Sequence, residues 1–117
     1  MSRGVITLEK NKCMIVKITG DIDHHTSEEI RLDVDRAYDR SACRNIIFDF
    51  SGVGFMDSSG VGMVIGRYKH AMKKDGKVAI ANMNRDLSRI YEISGLGKII
   101  TGYKTLDEAE RVLNGKF

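Results

Sequence analysis

The run Asn45-Ile46-Ile47-Phe48-Asp49-Phe50 constrains this chain most. It is short and almost continuously apolar, without the alternation of a strand that keeps one face wet. Such a run suits a central strand covered on both sides. The cover has to come from a chain of 117 residues, enough for one compact domain and too few for two. A domain of this size buries roughly two-thirds of the surface its unfolded chain exposes, so it needs no metal or disulfide staple.

The flanking segments supply that cover. Residues 5–8 and 13–19 are rich in Val, Ile and Thr and read as two strands joined through Glu9-Lys10-Asn11-Lys12. After a 20–25 loop, Thr26 and Glu29 form a capping-box pair, and Ile30, Val34, Ala37 and Tyr38 share one helical face. A glycine-bearing loop spans 51–57, and a second helix runs from Ser58 to about Lys74. Asp75-Gly76 is a turn, and 77–81 alternates as a strand. Leu87, Ile90, Tyr91 and Ile93 mark a third helix, stopped by Ser94-Gly95. A short strand at 99–101 and a last helix, opened by the Thr105/Glu108 box with Ala109, Val112 and Leu113 inside, complete the order. This alternation predicts an α/β fold, a mixed central sheet of about five strands with about four helices. In open sheets of this kind function lies in loops at the carboxyl ends of strands, here 21–25 and 51–59.

Composition removes several classes of function. No apolar run approaches the ~18 residues that span a bilayer, so no membrane association is expected. Met1-Ser2-Arg3-Gly4-Val5 has no long apolar core behind its one basic residue, which reads as no signal peptide. The 19 basic and 16 acidic side chains are interspersed, for a net charge of +3. Lys73-Lys74 and Arg85/Arg89 are too sparse to make the basic stripe of a nucleic-acid binder. Cys13 and Cys43 lack CxxC spacing and read as reduced core thiols of a cytoplasmic protein.

The most unusual stretch is Phe55-Met56-Asp57-Ser58-Ser59-Gly60-Val61-Gly62. Two serines follow an aspartate where a loop becomes a helix. A serine there can cap the free N–H groups of the first turn. Gly60, Gly62 and Gly66 each cost a helix about 1 kcal/mol relative to alanine. Ser58, Gly62 and Gly66 fall at i, i+4, i+8, so they line a face nearly free of side chains. That face either lets a partner's backbone approach closely or packs on a neighbouring helix of the same domain. The spacing alone leaves both open. A phosphate on Ser58 would sit at the positive end of a helix and add about −1.5 to −2 charges beside Asp57.

Enzyme readings find less support. Ser58, His24 or His25, and Asp57 or Asp23 supply the residue types of a serine hydrolase, but the G-x-S-x-G elbow is missing. Asp21, Asp23, His24 and His25 lack a second cluster to complete a metal site. Gly60-Val61-Gly62 and Gly95-Leu96-Gly97 complete neither phosphate-binding motif. A phosphoryl-accepting Asp49 or Asp57 would need an acidic pair after the first strand, which ends Leu8-Glu9-Lys10.

The stretch 55–62 resembles the signature of STAS domains in bacterial anti-sigma factor antagonists. Gly20-Asp21-Ile22-Asp23-His24-His25-Thr26, Gly66-Arg67-Tyr68-Lys69, and Ser94-Gly95-Leu96 with Lys98-Ile99-Ile100 are similar to the sporulation branch, the anti-sigma F factor antagonists. The likeness extends over essentially all of residues 1–117, read as a single STAS domain. Val61 stands where leucine is common in the family.

The resemblance implies a binding protein and no enzyme. The unphosphorylated form would bind an anti-sigma factor that is also a serine kinase, and so free the sigma factor. Phosphorylation of Ser58 by that kinase would end the complex, and a PP2C-type serine phosphatase would restore it. Asp23, His24, Asp57, Ser59, Gly60 and Gly62 match positions around the docking surface. ATP belongs to the partner, so no cofactor is expected on this chain. A STAS antagonist in a stress-response pathway, or a ligand-sensing or assembly module, is the other reading.

Overall fold

The computed structural model describes residues 4–115; Met1–Arg3, part of the segment read as lacking a leader, lie outside the described residues. Strand β1 (Gly4–Lys10) turns back on β2 (Cys13–Thr19). Asn11 and Lys12 both have positive φ, 53° and 66°, so the connection is a two-residue turn whose twist matches its strands. Helix α1 (His24–Arg40), β3 (Asn45–Gly52), α2 (Ser58–Met72), β4 (Val78–Ala81), α3 (Arg85–Ile93), a 3-10 turn (Leu96–Lys98), β5 (Thr101–Tyr103) and α4 (Leu106–Leu113) follow.

The sheet order is β1-β2-β3-β4-β5. β1 is antiparallel to β2, and β2 to β5 run parallel. The apolar run therefore sits in the middle strand, with Ile46–Phe50 all buried. Val16, Phe48 and Ile80 are aligned across β2, β3 and β4. They face a large core filled by Ile30, Val34 and Tyr38 of α1, Met63, Val64 and Ala71 of α2, and Leu87 of α3. On the other face, Cys13, Ile47, Ala79 and Ala81 pack under Ala109 of α4. Both cysteines are free and buried.

Three expectations are corrected. Helix α1 starts two residues before Thr26, capped by Asp23, whose carboxylate accepts from the N–H groups of His25 and Thr26. Thr26 is the return half of that box, accepting from the Asp23 N–H at 2.7 Å. At α4, Thr105 does cap Glu108, but Glu108 reaches back to the N–H of Lys104. The last strand is Thr101–Tyr103, two residues later than the apolar pair placed it. Ile100 is buried as a plug beneath α3, with its carbonyl accepting from the Tyr91 hydroxyl, while Ile99 is exposed.

Candidate functional site

The carboxyl ends of β2, β3 and β4 place three connections side by side. The first and second are joined by their main chains. Ile22 N–H donates to Phe55 O at 3.0 Å, and Asp57 N–H donates to Ile22 O at 3.1 Å. This short parallel bridge brings Asp23 and His24 to the rim that carries Asp57 and Ser58.

Asp57 caps α2. Its backbone is extended, and its Oδ1 accepts from Ser59 N–H at 2.8 Å. Its carbonyl accepts from Gly60 and Val61. Ser58 is therefore the first helical residue and has no capping duty. Its side chain is exposed, and among the described residues its hydroxyl has no hydrogen-bond partner. The hydrolase constellation is thus not assembled, since no imidazole meets Ser58 and the Asp57 carboxylate is committed to the helix. Among the described residues no three His, Cys, Asp or Glu side chains group as metal ligands would.

The three glycines divide. A Cβ on Gly60 would lie 2.9 Å from Met56 Cβ and 3.1 Å from Ile22 Cγ2. Gly60 is buried and lets the helix settle on the Ile22–Met56 bridge, so it supports the rim from beneath. A Cβ on Gly62 or Gly66 would meet nothing within 4 Å. The bare face of Ser58, Gly62 and Gly66 does not pack inside the domain; it looks outward.

Beside Ser58 lies an apolar depression of about 230 Å³ lined by Val61, Ile90, Ile93 and Ser94. Ile93 is 78% exposed and Phe55, before Asp57, is 49% exposed. The sequence reading missed this depression. Leu87, Ile90 and Tyr91 of α3 pack against the core, while Ile93 of the same helix falls off that stripe and faces outward.

Charge is arranged around the rim. Asp23 is held below the usual carboxylate range, first by the Thr26 N–H and then by the Thr26 hydroxyl and the His25 N–H. Within β3, burial pushes the Asp49 carboxyl up. Hydrogen bonds from the Asn82 amide and the Ser51 N–H outweigh burial and leave it below its usual value. Between α1 and α2, Arg67 is 6% exposed and its Nε lies 2.8 Å from Asp35 Oδ1. Burial lowers its pKa against the pull of Asp35.

The STAS domain family matches residues 5–109. The chain belongs to the STAS-domain family. Within it, the anti-sigma F factor antagonist of Paenibacillus polymyxa is 40% identical over 90 residues, 77% of each chain. The structure of the anti-sigma factor antagonist SpoIIAA in its unphosphorylated form superposes with a TM-score of 0.84 at 29% identity, covering 97% of this chain and 99% of that one. The phosphorylated form of the Bacillus cell fate determinant SpoIIAA gives 0.71 at 28%, covering 93% and 99%. This STAS domain thus has the mixed five-stranded sheet and four helices of its relatives.

Proposed function

We propose that Ser58 is the switch of an anti-sigma factor antagonist. Unphosphorylated, the chain docks on an anti-sigma factor and releases the sigma factor of the sporulation branch. Phosphorylated on Ser58, it lets go. One observation carries this reading: an exposed hydroxyl on the first turn of α2, relieved of capping by Asp57, beside the bare Gly62 and Gly66. The docking surface comprises Asp23, His24, Asp57, Ser58, Ser59 and Gly62, with Gly60 beneath them and the Ile93 depression alongside.

A phosphate here adds about −1.5 to −2 charges and three acceptor oxygens. It stands next to the Asp57 carboxylate and the apolar depression, so a partner fitted to a neutral hydroxyl meets bulk, repulsion and a charge to desolvate. The fold does not depend on that hydroxyl, so binding changes while the domain persists. The chain is in this sense a substrate and a ligand. Its partner is an anti-sigma factor with serine kinase activity, which binds the ATP. A PP2C-type serine phosphatase resets the switch.

The test is mass spectrometry after incubation with that kinase and ATP, with Ser58→Ala as the control. Phosphate on Ser58, lost in the control, is the expected result, together with weakened binding by Ser58→Glu at unchanged melting temperature. Phosphate elsewhere, or none, overturns the reading.

A further inference from the structure

The two connections that flank the phosphosite loop are attached to it differently. The 20–23 connection is joined through main-chain groups, whereas the 82–84 connection is joined through side chains. Asn84 Nδ2 donates to Gly54 O at 3.0 Å and to Val53 O at 3.3 Å. The Oδ1 of the same amide accepts from Leu87 N–H at 2.8 Å and caps α3. One side chain thus holds the loop before Asp57 with its donor end and the helix carrying Ile90 and Ile93 with its acceptor end. Next to it, Asn82, at φ 63°, donates to Asp49 Oδ1 at 2.9 Å. That oxygen also accepts from Ser51 N–H at 3.0 Å, so the second asparagine is joined to β3 itself, ahead of the loop.

Capping α3 does not require asparagine. Aspartate or serine accepts from a first-turn N–H equally well. Holding both Val53 and Gly54 carbonyls while capping requires two donors and an acceptor on one short side chain, which asparagine alone supplies.

We propose that Asn84 is a positioning residue for the docking surface. It sets where Ile90, Ile93 and Ser94 stand relative to Ser58, and so fixes the shape of the depression the partner meets. This rests on the Ser58 surface described above.

Two variants separate the jobs of the amide. Asn84→Asp keeps the cap acceptor and has nothing to donate. Asn84→Ser keeps the cap without adding charge. Both are expected to melt within a few degrees of the unaltered chain. In both, affinity for the anti-sigma factor falls about fivefold to tenfold, the loss of a hydrogen-bonded tether. Hydrogen exchange reads the tether directly: the Val53 and Asp57 amides exchange about tenfold faster on the same estimate, while the Leu87 amide stays protected. Wild-type affinity in both variants overturns the proposal. Ser58→Glu is measured alongside. If it binds weakly while the Asn84 variants bind normally, only the positioning role fails; if it too binds normally, the docking surface itself is wrong and the proposal falls with it.

Discussion

Gly62→Ala is expected to make the domain more stable and the regulator worse. Position 62 is an exposed helix interior, and the added Cβ meets nothing within 4 Å. The substitution therefore collects the helix preference of alanine over glycine without a steric cost, about 0.5–1 kcal/mol. For a domain of 117 residues that raises the melting temperature by roughly 2–4 °C. Gly60→Ala collects the same preference, but its Cβ falls 2.9 Å from Met56 Cβ and 3.1 Å from Ile22 Cγ2. Overpacking of that kind costs about 1–3 kcal/mol, so the net effect is a loss of about 1 kcal/mol. Binding moves differently. At position 62 a methyl group projects from the face through which the partner approaches the helix backbone, and affinity falls about tenfold, or ~1.4 kcal/mol. Thermal unfolding followed by circular dichroism and titration calorimetry with the anti-sigma factor measure both quantities on one sample. A Gly62→Ala domain that is destabilised, or that binds as tightly as the original, refutes the reasoning.

Two further outcomes follow from the site. Ile93→Glu places a charge on the lip of the depression, where the side chain is 78% exposed; partner affinity should drop while the melting temperature changes by no more than about 2 °C, and unchanged affinity would remove the depression from the docking surface. The folded-state pKa of Asp49 is held below its unfolded value, so its contribution is fully present above the unfolded pKa near 3.9. That contribution is lost as pH falls through the folded value. Stability should stay level from neutral pH to about 5 and fall below about 4, with a shallower acid loss in Asp49→Asn on denaturant titration.

What the sequence disclosed follows from the range of the interactions involved. The 45–50 run located the central strand because burial on both faces leaves a local apolar signature. The Ser58, Gly62 and Gly66 spacing located the bare face because helical periodicity is local as well. The direction of that face was not legible, since it depends on what stands opposite in space. Gly60 and Gly62 are the same residue two positions apart, yet one touches Met56 and the other meets open space. Asn84 was silent for the same reason, its partners being 30 and 31 residues earlier. The cap of α1 was misplaced because Thr26 with Glu29 and Asp23 with Thr26 both fit a box, and only Asp23 has the extended backbone of a cap. The burial of Arg67 was not legible either, since its partner Asp35 stands on the neighbouring helix.

The sequential strand order has a consequence for how the chain assembles as it is made. Each new strand from β2 to β5 is laid on the edge left by the one before, so the sheet can grow in the direction of synthesis without reopening a finished pair. The rim around Ser58 draws on the chain as far as Ile100, buried beneath α3 with its carbonyl on the Tyr91 hydroxyl. Closure comes only with α4, where Asn45 Nδ2 donates to Leu113 O and Cys13 lies against Asn114. In chain order the second face of the sheet is thus the last to be covered, and a chain cut before residue 106 would leave Cys13, Ile47, Ala79 and Ala81 open to water on the side away from Ser58.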